Sequence, residues 1–330
     1  MARWLHLRGF GASAVVAVVV LGSAGALPGS KAIGGWVAVP QRLSPSARES
    51  ALMAYDVATR QLLLVGGFRF VPVPNSNVGH EIQFEDTWVW RGSSWHKTDA
   101  ALPSTPQEQD VSAAAYDPQL GGVVLVSATF RATAVLPART WLWTGSSWRV
   151  LPFKPSPPVS GGGVSLAYDG ATGGMVALVN GAGTWVLRPQ GWAKQAGRGP
   201  STGDLVYDPV SRQILAFDAG SSKVWTWDRR WTGHHAMTPP LEGLGLVYDP
   251  ILRLVVGYGR QGVIGLIGPT YCWSDGAWTT LDLRSQPDEQ IDVALAYDGA
   301  RHELVLFGGL DAFGRTLDST WVLTGPSRPS

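Results

Sequence analysis

The chain has 330 residues, a formal net charge of +1 and 15% charged residues, against about 25% in typical globular proteins. The basic residues are scattered without a Lys or Arg run, which excludes the electrostatic footprint of a nucleic-acid-binding protein. The single cysteine excludes an internal disulfide, so packing must supply the stability, and the 41 Gly, 23 Pro and 16 Trp favour short strands, turns and aromatic packing.

The N-terminal segment predicts export. Two arginines precede an apolar stretch over residues 10 to 27, which is short for a membrane span. Ala24 and Ala26 provide the small residues of a signal-peptidase site. We therefore interpret residues 1 to 26 as a signal peptide of a secreted or extracytoplasmic protein. An uncleaved anchor through residues 10 to 27 is the alternative.

A Tyr-Asp dipeptide recurs six times, each time where an apolar strand runs into a turn. The six pairs begin at Tyr55, Tyr116, Tyr168, Tyr207, Tyr248 and Tyr297. At the first position of a turn, the Asp carboxylate can accept backbone N–H groups, and Pro118, Pro209 and Pro250 preset φ at the next position. The repetition predicts six copies of one structural unit.

Each unit contains four predicted strands. After the strand that ends in Tyr-Asp comes an apolar strand such as 61 to 67, then a Trp-rich strand such as 87 to 90, then a strand that opens with a further Trp. Four strands in roughly 40 to 60 residues match one blade of a β-propeller. We predict an all-β fold, a six-bladed β-propeller of four-stranded antiparallel blades, in which the Tyr and Trp side chains fill the wedges between blades.

The last blade needs a strand from the other end of the chain. The sixth unit, at Trp321, lacks its closing Trp, and the segment 34 to 40 carries Trp36 without a unit of its own. Pairing the two would close the ring and remove two exposed sheet edges. The predicted domain is a single propeller over residues 34 to 325, followed by a tail at 326 to 330.

The strand motifs resemble those of bacterial kelch-type propellers, which are related in fold to the central domain of galactose oxidase. The resemblance rests on two diglycines and on the strands that follow them: Gly66-Gly67 before Phe68, Gly308-Gly309 after Phe307, Asp86-Thr87-Trp88 and Thr320-Trp321. Four units depart from the diglycine and read Ser127-Ala128, Asn180-Gly181, Asp218-Ala219 and Tyr258-Gly259. The resemblance implies a fold and no particular activity, because propellers serve many functions.

Unequal loops provide the best indication of a functional face. In such blades, the loop between the second and third strands and the segment joining two blades emerge on the same side, which we call the loop face. The long loops are 68 to 85, 129 to 139, 260 to 270 and 310 to 319, in blades one, two, five and six. These blades are contiguous around the ring, and long loops on a rigid scaffold often carry function. Drift in tolerant surface loops is the alternative.

Ten ionisable residues are predicted on this face as candidate ligand-binding residues. The acidic ones lie near the starts of inner strands, and the others lie in the long loops: Glu49, Asp110, Asp204, Glu242 and Asp292, then Arg69, His80, Arg131, Arg260 and Arg315. The carboxylates are suited to a cation, an amine or sugar hydroxyls, and the arginines to a carboxylate. Solvated loop ends are the alternative interpretation.

Known chemistry of this fold finds little support in the sequence. The copper oxidases of this fold require a Tyr crosslinked to Cys and two His ligands near the axis, whereas Cys272 lies on a third strand beside Tyr271 and is expected to be a buried thiol. No metal-ligand spacing, cofactor motif or nucleophile motif is visible, so we expect no cofactor and no metal.

These features predict an exported, non-catalytic binding module that recognises a carbohydrate or a protein at or outside the cell envelope. We expect no nucleic-acid partner, and no membrane contact beyond the N-terminal segment. The alternative is a secreted carbohydrate-active enzyme, a lyase or an oxidase, that uses the acidic cluster near the axis. An enzyme should gather ionisable groups with shifted pKa values, whereas a binder should expose aromatic side chains on the loop face.

Overall fold

The structure is a computed structural model that describes residues 34–72, 79–102, 110–128, 136–159, 163–218, 223–236, 241–261, 269–288 and 290–324. At residues 110–112, 128, 136–137, 241–244, 260–261 and 324, only the backbone is described. All regular elements in these ranges are strands, so no described helix is long and apolar enough to cross a membrane.

The strands of the first half are β1 (Trp36–Ala38), β2 (Leu52–Asp56), β3 (Gln61–Val65), β4 (Phe68–Pro72), β5 (Gly79–Gln83), β6 (Asp86–Trp90), β7 (Trp95–Ala101), β8 (Asp110–Asp117), β9 (Gly122–Ala128), β10 (Leu136–Pro137), β11 (Arg139–Trp143), β12 (Trp148–Leu151), β13 (Pro158–Val159), β14 (Val164–Asp169), β15 (Gly174–Val179), β16 (Gly183–Arg188) and β17 (Gly191–Lys194). Those of the second half are β18 (Asp204–Asp208), β19 (Gln213–Phe217), β20 (Lys223–Trp227), β21 (Trp231–His235), β22 (Leu241–Asp249), β23 (Leu254–Gln261), β24 (Thr270–Ser274), β25 (Ala277–Thr280), β26 (Gln290–Ile291), β27 (Ala294–Asp298), β28 (Glu303–Phe307), β29 (Leu310–Asp311) and β30 (Thr320–Thr324).

Six four-stranded antiparallel sheets form the blades, which confirms the predicted propeller. From the inner to the outer strand they are β2-β3-β6-β7, β8-β9-β11-β12, β14-β15-β16-β17, β18-β19-β20-β21, β22-β23-β24-β25 and β27-β28-β30-β1. Each inner strand contacts the inner strands of both neighbouring blades, so the six form a closed circle around the axis. The predicted loop 68 to 85 differs from expectation, because β4 and β5 in it form a hairpin.

The ring closes as predicted, with the N-terminal strand in the last blade. In β1, Val37 pairs with Val322, and Trp36 pairs with Leu323. Trp36 is 1% exposed and packs edge-on against Tyr258 of blade five. The strand thereby supplies both backbone pairing for β30 and an aromatic side chain for the seam between blades five and six.

Each seam between blades is filled by its own apolar cluster. Six separate clusters of buried side chains lie between successive blades, built from the aliphatic second strands and the tryptophans. The smallest lies between blades four and five and contains Val206, Leu215, Phe217, Val224 and Val255. Sheets that bury both faces read as continuous apolar runs, which explains sequences such as 61 to 65.

The six tyrosines pack against the apolar clusters of the seams, as predicted, at the edge of each cluster. All are half-buried, and the rings of Tyr207 and Tyr55 lie against Gly170 and Gly299 in the turn of the preceding blade. A phenol hydroxyl needs a polar partner or water, so the Tyr side chains lie at the solvent end of each seam and the Trp side chains fill its interior. The turn aspartates behave as predicted; Asp117 Oδ1, for example, accepts from the N–H groups of Gln119 and Leu120.

A repeated Trp to Thr hydrogen bond joins five of the six seams. The donor is the indole N–H of a Trp on the outer strand of one blade. The acceptor is the hydroxyl of a Thr on the third strand of the previous blade, directly before the aromatic residue of that strand. The pairs are Trp36 to Thr270, Trp95 to Thr320, Trp148 to Thr87, Trp192 to Thr140 and Trp231 to Thr184, at 2.7 to 2.9 Å. Blade four has Val224 at the Thr position, so Trp278 of blade five lacks this bond.

We expect Thr140→Val to destabilise the protein by about 1 to 3 kcal/mol, because it leaves the buried indole N–H of Trp192 without an acceptor while preserving shape. Urea unfolding measures the change. The control, Thr226→Val, removes an exposed hydroxyl bonded to His234 and should change stability by less than about 0.5 kcal/mol. Equal stability of Thr140→Val and wild type would contradict the structural role of this bond.

Candidate functional site

Backbone pairing ties the long loops to the segments that join the blades. β10, in the long loop of blade two, pairs with β13, which leads into blade three. β29, in the long loop of blade six, pairs with β26, which leads into that same blade. Glu49 and Phe68 exchange backbone hydrogen bonds of 2.9 and 3.0 Å at blade one. The two kinds of connection therefore share one face, as predicted, and form a hydrogen-bonded layer above the ring.

The two diglycines allow a connecting segment to pass close to the second strands of blades one and six. A Cβ on Gly67 would lie 2.7 Å from the carbonyl oxygen of Glu49, and one on Gly308 would lie 2.5 Å from that of Arg48. Both glycines also have positive φ values, of 84° and 68°. Close backbone approach and a left-handed conformation thus both require Gly here.

Two of the predicted carboxylates interact near the axis. Side chains at the position of Asp204 point along the ring toward the next blade: Ser165 accepts from the N–H of Leu205, and a Cβ on Gly245 would meet Leu295. Asp204 at this position projects from blade four, and its charge interacts with that of Asp292 in blade six. Gly245, in the blade between them, has no side chain to separate the two carboxylates.

The environment of Asp204 favours its neutral form. Desolvation of the carboxyl by the surrounding protein and, second, the charge of Asp292 raise the pKa of Asp204 from 3.8 to about 7. The side chain nevertheless remains exposed to solvent, so a ligand can reach it. Asp292 has a left-handed backbone with a φ of 54°, and the corresponding residue of blade three is Gly163. In this conformation, the free energy of the folded state is about 1 kcal/mol less favourable with Asp than with Gly.

Glu49, Arg69 and Asp292 come together where blades six and one meet. The N–H of Ser50 donates to the carbonyl oxygen of Asp292 at 2.9 Å, and Glu49 pairs with Phe68, the neighbour of Arg69. The Glu49 side chain is buried. No acceptor in the described part of the chain reaches the buried Nε of Arg69. Backbone contacts therefore bring Glu49, Arg69 and Asp292 to the junction of blades six and one, and Asp204, in blade four, is linked to this group by its charge interaction with Asp292.

The remaining predicted residues do not join this group in the described structure. His80 is exposed on β5, and Arg315 forms an ion pair of 2.7 Å with Asp311 in its own loop. Glu242 and Arg260 are backbone partners across β22 and β23, and Asp110 opens β8; for these three only the backbone is described. Arg131 lies outside the described residues.

A buried ion pair that the sequence analysis missed supports the loop face. Arg48 is completely buried, and its Nη1 donates to Asp86 Oδ1 at 2.6 Å and to the carbonyl oxygen of Gly66 at 2.9 Å. Its guanidinium lies 4.0 Å from the ring centre of Phe84, and Trp88 donates its indole N–H to Asp86. The cluster fixes the connecting segment against the base of the β4–β5 hairpin.

Aromatic side chains are exposed on the same face. Phe313 in the loop of blade six is 82% exposed, and Phe70 on β4 in blade one is 48% exposed. Phe68 is half-buried, and Phe130 lies outside the described residues. The guanidinium of Arg315 lies 5.3 Å from the ring centre of Phe313. Exposed aromatics on neighbouring blades were the expected signature of a binding face.

Metal and thiol chemistry have no assembled site among the described residues. No three His, Cys, Asp or Glu side chains there are grouped as metal ligands. Cys272 lies on β24, fully buried, with its sulfur 3.2 Å from Thr279 Oγ1, and burial raises the pKa of its thiol. A buried thiol with a raised pKa is a packing residue and a poor nucleophile.

Comparisons with solved structures show the propeller fold. YjhT matches with a TM-score of 0.55 and 13% identity, over 86% of this chain and 97% of that chain. XC5397 of Xanthomonas campestris, described as a gluconolactonase important in glucose secondary metabolic pathways, matches with a TM-score of 0.50 and 16% identity, over 88% and 98%. No protein-family profile and no curated protein matches the sequence. Neither structure is named as a kelch protein or a galactose oxidase, so the sequence resemblance is confirmed for the propeller fold alone.

Asp204→Asn should stabilise the protein at about pH 8 and leave stability unchanged near pH 4. With a folded-state pKa of about 7 and an ordinary value of 3.8, the folded protein keeps a proton between these values that the unfolded chain releases. The contribution of Asp204 to the free energy of unfolding of the wild type therefore falls as pH rises from about 4 to 7. Thermal unfolding across this range tests the prediction, with the exposed Asp228→Asn as the control for lost charge. A pH-independent difference between Asp204→Asn and wild type would refute it.

Arg48→Met should destabilise the protein by about 3 to 5 kcal/mol, because it leaves the half-buried carboxylate of Asp86 without its buried ion-pair partner. Burial acts to raise the pKa of Asp86, but the hydrogen bond and charge of Arg48 outweigh it and hold the pKa below 3.8. This stabilisation is therefore present above about pH 4 and is lost as pH falls through the lower folded-state value. Urea unfolding at neutral and acid pH measures both effects, and Arg149→Met on the exposed part of β12 is the control. A loss as small as that of the control would argue against the ion pair.

Proposed function

We propose that this protein is an exported binding module that holds a carbohydrate on its loop face. The observation that carries the proposal is the exposure of Phe313 and Phe70 on adjacent blades six and one, at whose junction the backbones of Glu49, Arg69 and Asp292 meet. Binding sites combine aromatic surface with a few directed polar groups. An aromatic ring packs on the apolar face of a sugar, and carboxylates accept hydrogen bonds from its hydroxyls.

A carbohydrate suits this face better than a protein partner does. The exposed aromatics are single rings separated by polar loops, and the other strongly exposed apolar side chains lie on outer strands, connecting segments or the opposite face. A stable protein interface needs a contiguous buried core of at least about 1,000 Å² in total. The kelch-type diglycines and the predicted signal peptide fit an exported ring of this kind.

A second candidate function, a carbohydrate-active enzyme, is favoured by the carboxyl pair at the axis. A carboxyl group with a pKa of about 7 beside a second carboxylate has the properties of a general acid or base. In the described part of the chain, the carboxylates of Asp204 and Asp292 interact near the axis, and the pKa of Asp204 is raised. The similarity in fold to a structure described as a gluconolactonase supports this second candidate.

A glycan array with the purified protein tests the leading proposal, followed by calorimetry on the best glycan. Phe313→Ala and Phe70→Ala should each weaken binding about ten-fold, since each removes a stacking surface worth about 1 kcal/mol or more. Val150→Ala, on the outer strand of blade two, removes a comparably exposed apolar side chain and should leave affinity unchanged. An array without any bound glycan, or Phe variants that bind as wild type does, would exclude this site.

Asp204→Asn separates the two functions on the same glycan. The binding module should keep most of its affinity, because a neutral amide replaces a carboxyl that is largely protonated below about pH 7. An enzyme should keep its affinity but lose turnover by about 100-fold or more, as expected when a general acid or base is removed. Turnover of the bound glycan by wild type, with loss in this variant, would establish the enzyme.

A further inference from the structure

The face opposite the loop face carries the six Tyr-Asp turns, and we call it the turn face. All six turns have the same geometry, and the fifth residue after each Tyr has a left-handed backbone. In blades two and three that residue is Gly121 or Gly173, with φ of 71° and 68°. In the other four blades it is Arg60, Arg212, Arg253 or His302, with φ between 57° and 61°.

The turn geometry does not account for the three arginines. A left-handed conformation costs a non-Gly residue roughly 1 to 2 kcal/mol, and the same turn is built with Gly in two blades. The Arg side chains at 60, 212 and 253 are exposed, and none forms an ion pair with a described residue. Arg253 donates a hydrogen bond to the hydroxyl of Tyr248 in its own turn, and the charge of Arg212 acts on Tyr207. A conformationally costly residue at three equivalent surface positions points to a role for its side chain.

The arginines form the outer layer of this face, with the turn aspartates beneath them. Asp56 and Asp249, in two of these turns, are 1% and 3% exposed, and each accepts backbone N–H groups of its own turn. Additional exposed arginines lie on neighbouring hairpin turns: Arg91, Arg188 and Arg229. Two exposed acids, Asp228 and Asp275, lie on described hairpin turns of this face.

Exposed aliphatic side chains accompany the arginines in the same three turns. Val57, Val210 and Ile251 are 55%, 55% and 42% exposed, each two or three residues before the Arg of its turn. The turns of blades four, five and one thus each carry an exposed arginine and an exposed aliphatic side chain, and the turn of blade six, which carries His302, lies between those of blades five and one. Alternating guanidinium and aliphatic groups match the headgroup zone of an anionic bilayer, which offers phosphates above apolar chains.

The chain enters the propeller at the end of β1 that lies toward this face, where Trp36 pairs with Leu323 near the end of β30. The N–H of Trp36 also donates to the carbonyl oxygen of Ser285, and the N–H of Arg284 donates to that of Gly34, so the segment joining blades five and six lies against the entry point. The apolar stretch 10 to 27 ends seven residues before Gly34. An extended chain of that length spans at most about 25 Å, so a membrane holding this stretch would lie within that distance of Gly34.

We propose that the turn face docks on an anionic phospholipid surface, with Arg60, Arg212 and Arg253 on lipid phosphates and Val57, Val210 and Ile251 in the headgroup zone. Membrane contact then extends beyond the N-terminal segment, contrary to the expectation from the sequence, and the loop face points away from the bilayer. This orientation is independent of the ligand on the loop face, so either proposal can fail without the other.

The test uses the chain from residue 28, because Trp36 to Thr324 contain the closed ring. Arg60→Gly, Arg212→Gly and Arg253→Gly are combined, since Gly fits these backbone angles and the variant should fold at least as stably as wild type. The control, Arg42→Gln, Arg149→Gln and Arg198→Gln combined, removes the same charge from exposed positions elsewhere. Both are sedimented with phosphatidylglycerol-containing vesicles and with pure phosphatidylcholine vesicles.

Wild type and control should sediment with the anionic vesicles alone, less so at high salt. The Gly variant should lose affinity about 100-fold, since each arginine near an anionic surface contributes roughly five-fold. Equal binding to both vesicle types, no binding, or unchanged binding of the Gly variant would overturn the proposal. Binding to a soluble polyanion such as heparin without vesicle binding would also overturn it and assign the face to acidic polymers.

Discussion

The pairing of β1 with β30 is the contact on which the rest of the structure depends. Five blades are continuous in sequence, but the sixth is complete only when Trp36–Ala38 becomes its outer strand. That strand closes the seam between blades five and six, where the Trp36 indole donates to Thr270. The circle of inner strands, and with it the positions of every loop, follows from this closure.

Closure also places distant residues on common faces. Asp204 and Asp292 are 88 positions apart and in different blades, yet their charges interact because the ring brings alternate inner strands to one axis. The same geometry gathers acids and aromatics on the loop face and exposed arginines on the turn face. A chain with nearly balanced charge thereby presents two faces of different chemistry, one suited to a polar ligand and the other to an anionic surface.

Repeated local patterns predicted the fold well, because one unit solves one packing problem six times. Tyr-Asp turns and Trp strands fixed the blades, and the Trp missing after Trp321 identified the closing strand. Arg48 and Asp86 could not be paired from sequence, since Arg48 lies outside the repeated strands and its contact with Asp86 depends on how a connecting segment crosses a diglycine. The arginines are scattered evenly along the chain, so the sequence alone does not single out Arg60, Arg212 and Arg253. These three share a face only because the ring places all six Tyr-Asp turns on the same side.

Native-state amide hydrogen exchange measures the central claim directly. If β1 is an integral strand, the hydrogen-bonded amides of β1 and β30 exchange only through global unfolding, with the same free energy as the amides of β3 and β6 in blade one. Rapid exchange of the β1 amides while blade one stays protected would show that the ring is not held closed by this strand, and would contradict the account.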